Sequence, residues 1–93
     1  MSTPITAGIK VIIAKGCKAR EIKKGVKVDV VSVVQLGADY GHCVKIVLEV
    51  PSPWIGRSTR PVAFYVRHVN RLSDDTIGMN DGNPMHRIEV RRM

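Results

Sequence analysis

Val26-Lys27-Val28-Asp29-Val30-Val31-Ser32-Val33-Val34-Gln35-Leu36 is the stretch on which the fold turns. Its many β-branched residues fit a pleated surface better than a helix. Side chains of a strand alternate between its two faces, so Val26, Val28, Val30, Val34 and Leu36 share one parity. Lys27 and Asp29 open the opposite face, and Val31 and Val33 continue it. Apolar residues on both faces midway predict a strongly bent strand that serves two sides of a barrel.

Upstream, Ile9-Lys10-Val11-Ile12-Ile13 reads as a first strand with Val11 and Ile13 on one face and Lys10 on the other; Ile12 blurs the alternation. Between the two strands lies a cationic segment, residues 15–27, in which Lys15, Lys18, Arg20, Lys23, Lys24 and Lys27 face only Glu21 as an acid. That charge belongs on a long loop. Downstream, Gly37-Ala38-Asp39-Tyr40-Gly41 supplies a turn, and Val44, Ile46, Leu48 and Val50 alternate with Lys45 and Glu49 in a third strand. A loop follows over residues 51–61, where Pro51, Pro53, Pro61 and Gly56 punctuate the chain.

In the fourth strand Val62, Phe64 and Val66 point one way, and Ala63, Tyr65 and Arg67 the other. The period of two is lost over His68-Val69-Asn70-Arg71-Leu72, where Val69 and Leu72 are spaced as in a single tight helical turn. Ser73-Asp74-Asp75 has the makings of a cap for a further short turn. Asn80-Asp81-Gly82-Asn83-Pro84 reads as a tight turn into a final strand, in which Ile88 and Val90 alternate with Arg87, Glu89 and Arg91.

Five short strands, a long loop after the first, a bent second strand and a helical turn after the fourth resemble the small SH3-like barrel. The resemblance runs from Gly8 to about Arg92 and rests on arrangement more than on signature residues. Ala7-Gly8-Ile9-Lys10-Val11-Ile12-Ile13-Ala14-Lys15-Gly16 is similar to the opening of the KOW module of translation and transcription factors. It then departs, because that module continues with a tight glycine-centred turn, whereas about ten residues separate Gly16 from the next strand here. The resemblance implies an all-β scaffold and not an activity, since the same barrel carries DNA binders, RNA binders, proline-motif readers and subunit-interface modules. The aromatic groove of a proline-motif reader is hard to build from Trp54, Tyr40, Tyr65 and Phe64 alone.

The chain has 93 residues, 44% of them hydrophobic, which is one domain (1–93) with a small core. Its 15 basic and 8 acidic residues leave a formal charge of +7, with a pI near 9.9. Such a surface attracts polyanions, and nucleic acid is the first partner to expect. No segment approaches the roughly 20 apolar residues of a membrane span, and the N-terminus lacks the layout of a secretion signal. A cytoplasmic location without membrane contact is the expectation, with Cys17 and Cys43 as reduced thiols and Cys43 in the core.

Lys15, Lys18, Arg20, Lys23 and Lys24 have the density to meet a phosphate backbone, where each neutralised phosphate releases counterions. Their alternative role is a solvated edge that blocks strand pairing. Trp54, Arg57 and Arg60 are the second candidate group. An indole beside two guanidiniums can stack on an unpaired base or wedge into a base step while the arginines hold phosphate. Trp54 can equally fold back as a lid over one end of the barrel. Arg87, Arg91 and Arg92 extend the basic surface or form a frayed end.

Catalysis finds little support. No spacing marks a nucleophile elbow, a phosphate-cradling loop or a base with its orienting acid, so the chain is not expected to be an enzyme. Cys17, His42, Cys43, His68 and His86 lack the spacing that makes zinc readable, and no metal or other cofactor is expected. The leading expectation is a DNA- or RNA-binding protein of low sequence specificity. The alternative is a protein-interaction module, an adaptor or inhibitor subunit, in which Val31, Val33 and Val47 form a patch for a protein partner or a second copy. A third possibility is an enzyme whose active site forms only between subunits. Size and charge fit an accessory protein of a phage or mobile element.

Overall fold

The computed structural model describes residues 5–40, 43–52, 58–66, 76–83 and 85–93. Among the described residues six strands form one antiparallel sheet: β1 (Lys10–Lys15), β2 (Lys27–Gln35), β3 (Val44–Pro51), β4 (Thr59–Val66), β5 (Thr76–Met79) and β6 (Ile88–Arg92). Their order is β4-β3-β2-β1-β6-β5. Short 3-10 turns at Lys18–Arg20 and Ala38–Tyr40 interrupt the connections on either side of β2. The outer strand β4 reaches the residue that follows β5: the Tyr65 amide donates to the Asn80 carbonyl at 2.6 Å, in an isolated antiparallel pair.

The periodicity of four strands translates directly into burial. Val11 and Ile13 of β1, alternate residues of β3 from Val44 to Val50, and Val62, Phe64 and Val66 of β4 all point inward. Ile88 and Val90 do the same in β6. Phe64 is the largest fully buried side chain among the described residues. Ile5 is also fully buried, and just beyond it the Gly8 amide donates to the Val30 carbonyl at 2.9 Å. Cys17 and Cys43 are free and buried.

The loop expected over residues 51–61 is shorter, since Pro51 pairs with Thr59, Val50 with Arg60 and Glu49 with Pro61 at the ends of β3 and β4. Two further expectations are corrected. The sheet has six strands rather than five, because Thr76–Met79 pairs with β6. Ile77 and Met79 are its only apolar alternation, and Gly78 between them weakens any strand signal. The guanidinium of Arg87 lies over Gly78, with Nη2 2.7 Å from where a Cβ would stand.

The second correction concerns β2. Val30 is opposite Leu48, but Ser32 is opposite Val47, so the pairing register shifts between Val30 and Ser32. The extra residue is Val31, a bulge that bends the strand. Beyond it the parity reverses. Val33, opposite Ile46, packs against the core, whereas Val34, opposite Lys45, is 46% exposed. The outward apolar residues are therefore Val31 and Val34 rather than Val31 and Val33. The helical turn expected over residues 68–72 and the capping segment after it lie outside the described residues.

Candidate functional site

The cationic segment is a built structure held at both ends. Gly16 permits its closest approach, since a Cβ there would lie 2.3 Å from the carbonyl oxygen of Ile22. Cys17 and Ile22 then exchange backbone hydrogen bonds, Cys17 N to Ile22 O at 2.9 Å and Ile22 N to Cys17 O at 3.0 Å. The intervening 3-10 turn ends on Glu21, whose amide donates to the Lys18 carbonyl at 3.0 Å. Glu21 is left-handed, with φ 55°. At the far end the Gly25 amide donates to the Ile13 carbonyl at 2.8 Å, and Ile13 donates to Val26 at 2.9 Å.

Burial follows from this framework. Cys17 and Ile22 face the core, while Lys15, Lys18, Lys23 and Lys24 are exposed. Among the described residues, no carboxylate lies within ion-pair distance of these four lysines. Lys10 differs, for its Nζ lies 2.8 Å from Asp29 Oδ1 across the β1–β2 pair. That exposed pair contributes only some tenths of a kcal/mol, about 0.2–1.

Arg20 turns away from the lysines. Its Nε stands 3.3 Å from Asp81 Oδ2, which also lies 2.9 Å from His86 Nδ1. Arg60 donates from Nη2 to the Arg20 carbonyl oxygen. Loop, β4 and the β5–β6 connection are thus tied together at one cluster. Burial by itself pushes the Asp81 carboxyl up. Hydrogen bonds from His86 and the Asn83 amide, with the charges of His86 and Arg20, outweigh that effect and hold it below the ordinary carboxylate value. From the sequence Asp81 is legible only as part of a turn, and His86 only as one of several scattered histidines and cysteines without metal-ligand spacing. The turn itself is as expected: Asn80 Oδ1 accepts from the Gly82 amide and Asp81 Oδ1 from the Asn83 amide. Gly82 takes φ 97° there.

The contact of Arg60 with Arg20 brings the root of the second loop against the first. Trp54 and Arg57 lie outside the described residues, as do His42 and His68. Between the two loop roots runs a groove of about 260 Å³. Its floor is Ile13, Ile22, Val28 and Val50, and Glu21, Lys23 and Ser52 stand along it. A wider, shallower depression lies over Gly16 and Cys17, bordered by Lys18, Glu21, Lys23 and Lys24. Arg91 and Arg92 are exposed but remote: Arg92 is opposite Val11, whereas Lys15, where the loop begins, is opposite Glu89. At ~3.3 Å per residue the separation along β1 is about 13 Å.

Among the described residues no group of three or more histidine, cysteine or acidic side chains is placed to hold a metal ion. Among those residues no helix is long and apolar enough to cross a membrane. Comparison with protein-family models, with curated proteins and with solved structures returned no match.

Proposed function

We propose that this chain binds nucleic acid through the phosphate backbone, with Lys15, Lys18, Lys23 and Lys24 as the contacting cations. The observation that carries this reading is that the four lysines stand exposed on a loop closed by backbone hydrogen bonds, and among the described residues none of them is engaged in an ion pair, Glu21 of the same loop included. Flexible ammonium heads on a fixed base can track a phosphate chain without ordering the loop on binding, so little conformational entropy is lost. Arg20 and Arg60 act behind them, positioning the loop through Asp81 and the Arg20 carbonyl. We take the scaffold to be a small SH3-like barrel, a reading supported by the strand order, the bulged β2 shared between two halves of the sheet, and the Tyr65–Asn80 pair.

Amide resonances followed during titration with a short DNA or RNA strand test the location. Shifts should concentrate in residues 15–27 and at the root of β4. Shifts confined to Arg91 and Arg92, or to the outer face of β2, would contradict it.

A second reading is favoured by one observation: Val31 and Val34 are 49% and 46% exposed on the outer face of β2. Together with half-buried Val47, which is opposite Ser32 on the neighbouring strand, they fit a protein partner or a second copy. Self-association that persists in high salt and is lost in Val31→Lys would support that reading, and a monomer under all conditions would dismiss the second copy.

A further inference from the structure

We propose that the groove between the cationic loop and the end of β3 seats one unpaired base of a single-stranded nucleic acid, with Glu21 accepting from the amino edge of the base. This inference rests on the phosphate-binding reading and adds the class of ligand to it. Three observations lead to it. The groove is floored by aliphatic side chains of the core, and its volume of about 260 Å³ suits a small flat group rather than an extended chain. Lys23 stands at the groove, and Lys18 and Lys24 border the adjoining depression. A strand can therefore lay its phosphates on the lysines and turn one base inward. A duplex cannot, because its bases are held in the stack.

Glu21 supplies the third observation. It is the single acid of the loop, it lines both depressions, and it holds a left-handed conformation at φ 55°. That conformation costs a side chain about 1–2 kcal/mol, and glycine would close the turn without it. The carboxylate repels a bare phosphate or an acidic peptide from the groove. It attracts the N–H groups of a base, best of all an amino group such as cytosine N4. Thymine offers only an imide N–H between two carbonyls, whose oxygens repel the same carboxylate.

The test uses the full chain and four labelled probes of equal length: oligo(dC), oligo(dT), an abasic deoxyribose-phosphate strand, and a duplex. Anisotropy titrations across a salt series should rank oligo(dC) about tenfold above oligo(dT), and the abasic strand and the duplex weakest. Glu21→Gln should narrow the gap between oligo(dC) and oligo(dT). Val26→Phe and Ser52→Phe, at two residues that line the groove, should bring oligo(dC) down to the level of the abasic strand; thermal unfolding identifies any variant that fails to fold. Salt-sensitive binding of equal strength to oligo(dC) and the abasic strand overturns the base seat and leaves phosphate binding standing. No binding of any probe at low salt overturns both.

Discussion

Gly16→Ala should destabilise the protein by about 2–3 kcal/mol, among the larger costs of a single surface-loop substitution. The new methyl group would meet backbone on one side, the Ile22 carbonyl oxygen at 2.3 Å and the Lys24 amide nitrogen at 3.0 Å. Neither atom can rotate away as a side chain would. The chain must open the Cys17–Ile22 pair, and with it the inward packing of both residues. Lys18, Lys23 and Lys24 then lose their common base, so binding of nucleic acid should weaken together with stability. Gly37→Ala is the control. Nothing lies within 4 Å of its Cβ and its φ is not positive, so it should be neutral or gain a few tenths of a kcal/mol, about 0.4–1 at most. Chemical denaturation of the three proteins checks this. Equal midpoints for wild type and Gly16→Ala would show that the loop is not held as described.

Asp81→Asn should cost about 1–3 kcal/mol at neutral pH, since Arg20 and His86 lose a shared carboxylate whose side chain is only 12% exposed. Each kcal/mol lowers Tm by about 4–8 °C in a domain of this size. The pH dependence has a definite sign. The folded pKa of Asp81 lies below its ordinary value of 3.8, so its contribution is fully present above that value and is lost as pH falls through the lower folded one. The difference in Tm between wild type and Asp81→Asn should therefore shrink as pH falls below ~4. A difference that persists unchanged in strong acid would mean that the asparagine acts by shape and not by charge. The same variant loosens the loop, for Arg20 is the side chain through which the loop reaches the β5–β6 connection.

Much of this molecule is legible from residue order. Alternation from Val44 to Val50 and from Val62 to Val66 places both strands and their inner faces, because a period of two admits only one face for the apolar set, whereas the pairing of Thr59, Arg60 and Pro61 with the end of β3 is hidden by the prolines. The position of the cationic loop is equally legible, as it is bounded by two β-branched runs. The bulge at Val31 is not. With Val30, Val31, Val33 and Val34 all apolar, either parity satisfies the pattern, and only pairing with β3 decides where the extra residue falls. Strand β5 escapes for a related reason: two apolar residues around Gly78 carry too little periodicity. The cluster of Arg20, Arg60, Asp81 and His86 draws on distant parts of the chain. No local spacing announces it, and it engages Arg20 and Arg60 while the loop lysines stay exposed.

That division of labour makes the lysines the place to test the account. Binding of a labelled single strand should be measured across a salt series for wild type and for Lys23→Glu/Lys24→Glu. The account predicts a steep fall of affinity with salt for wild type. It predicts weaker binding in the variant and a slope of log K against log[salt] shallower by about 1.4, the loss of two phosphate contacts on a single strand. A variant that binds as tightly as wild type and with the same slope would contradict phosphate binding through this loop.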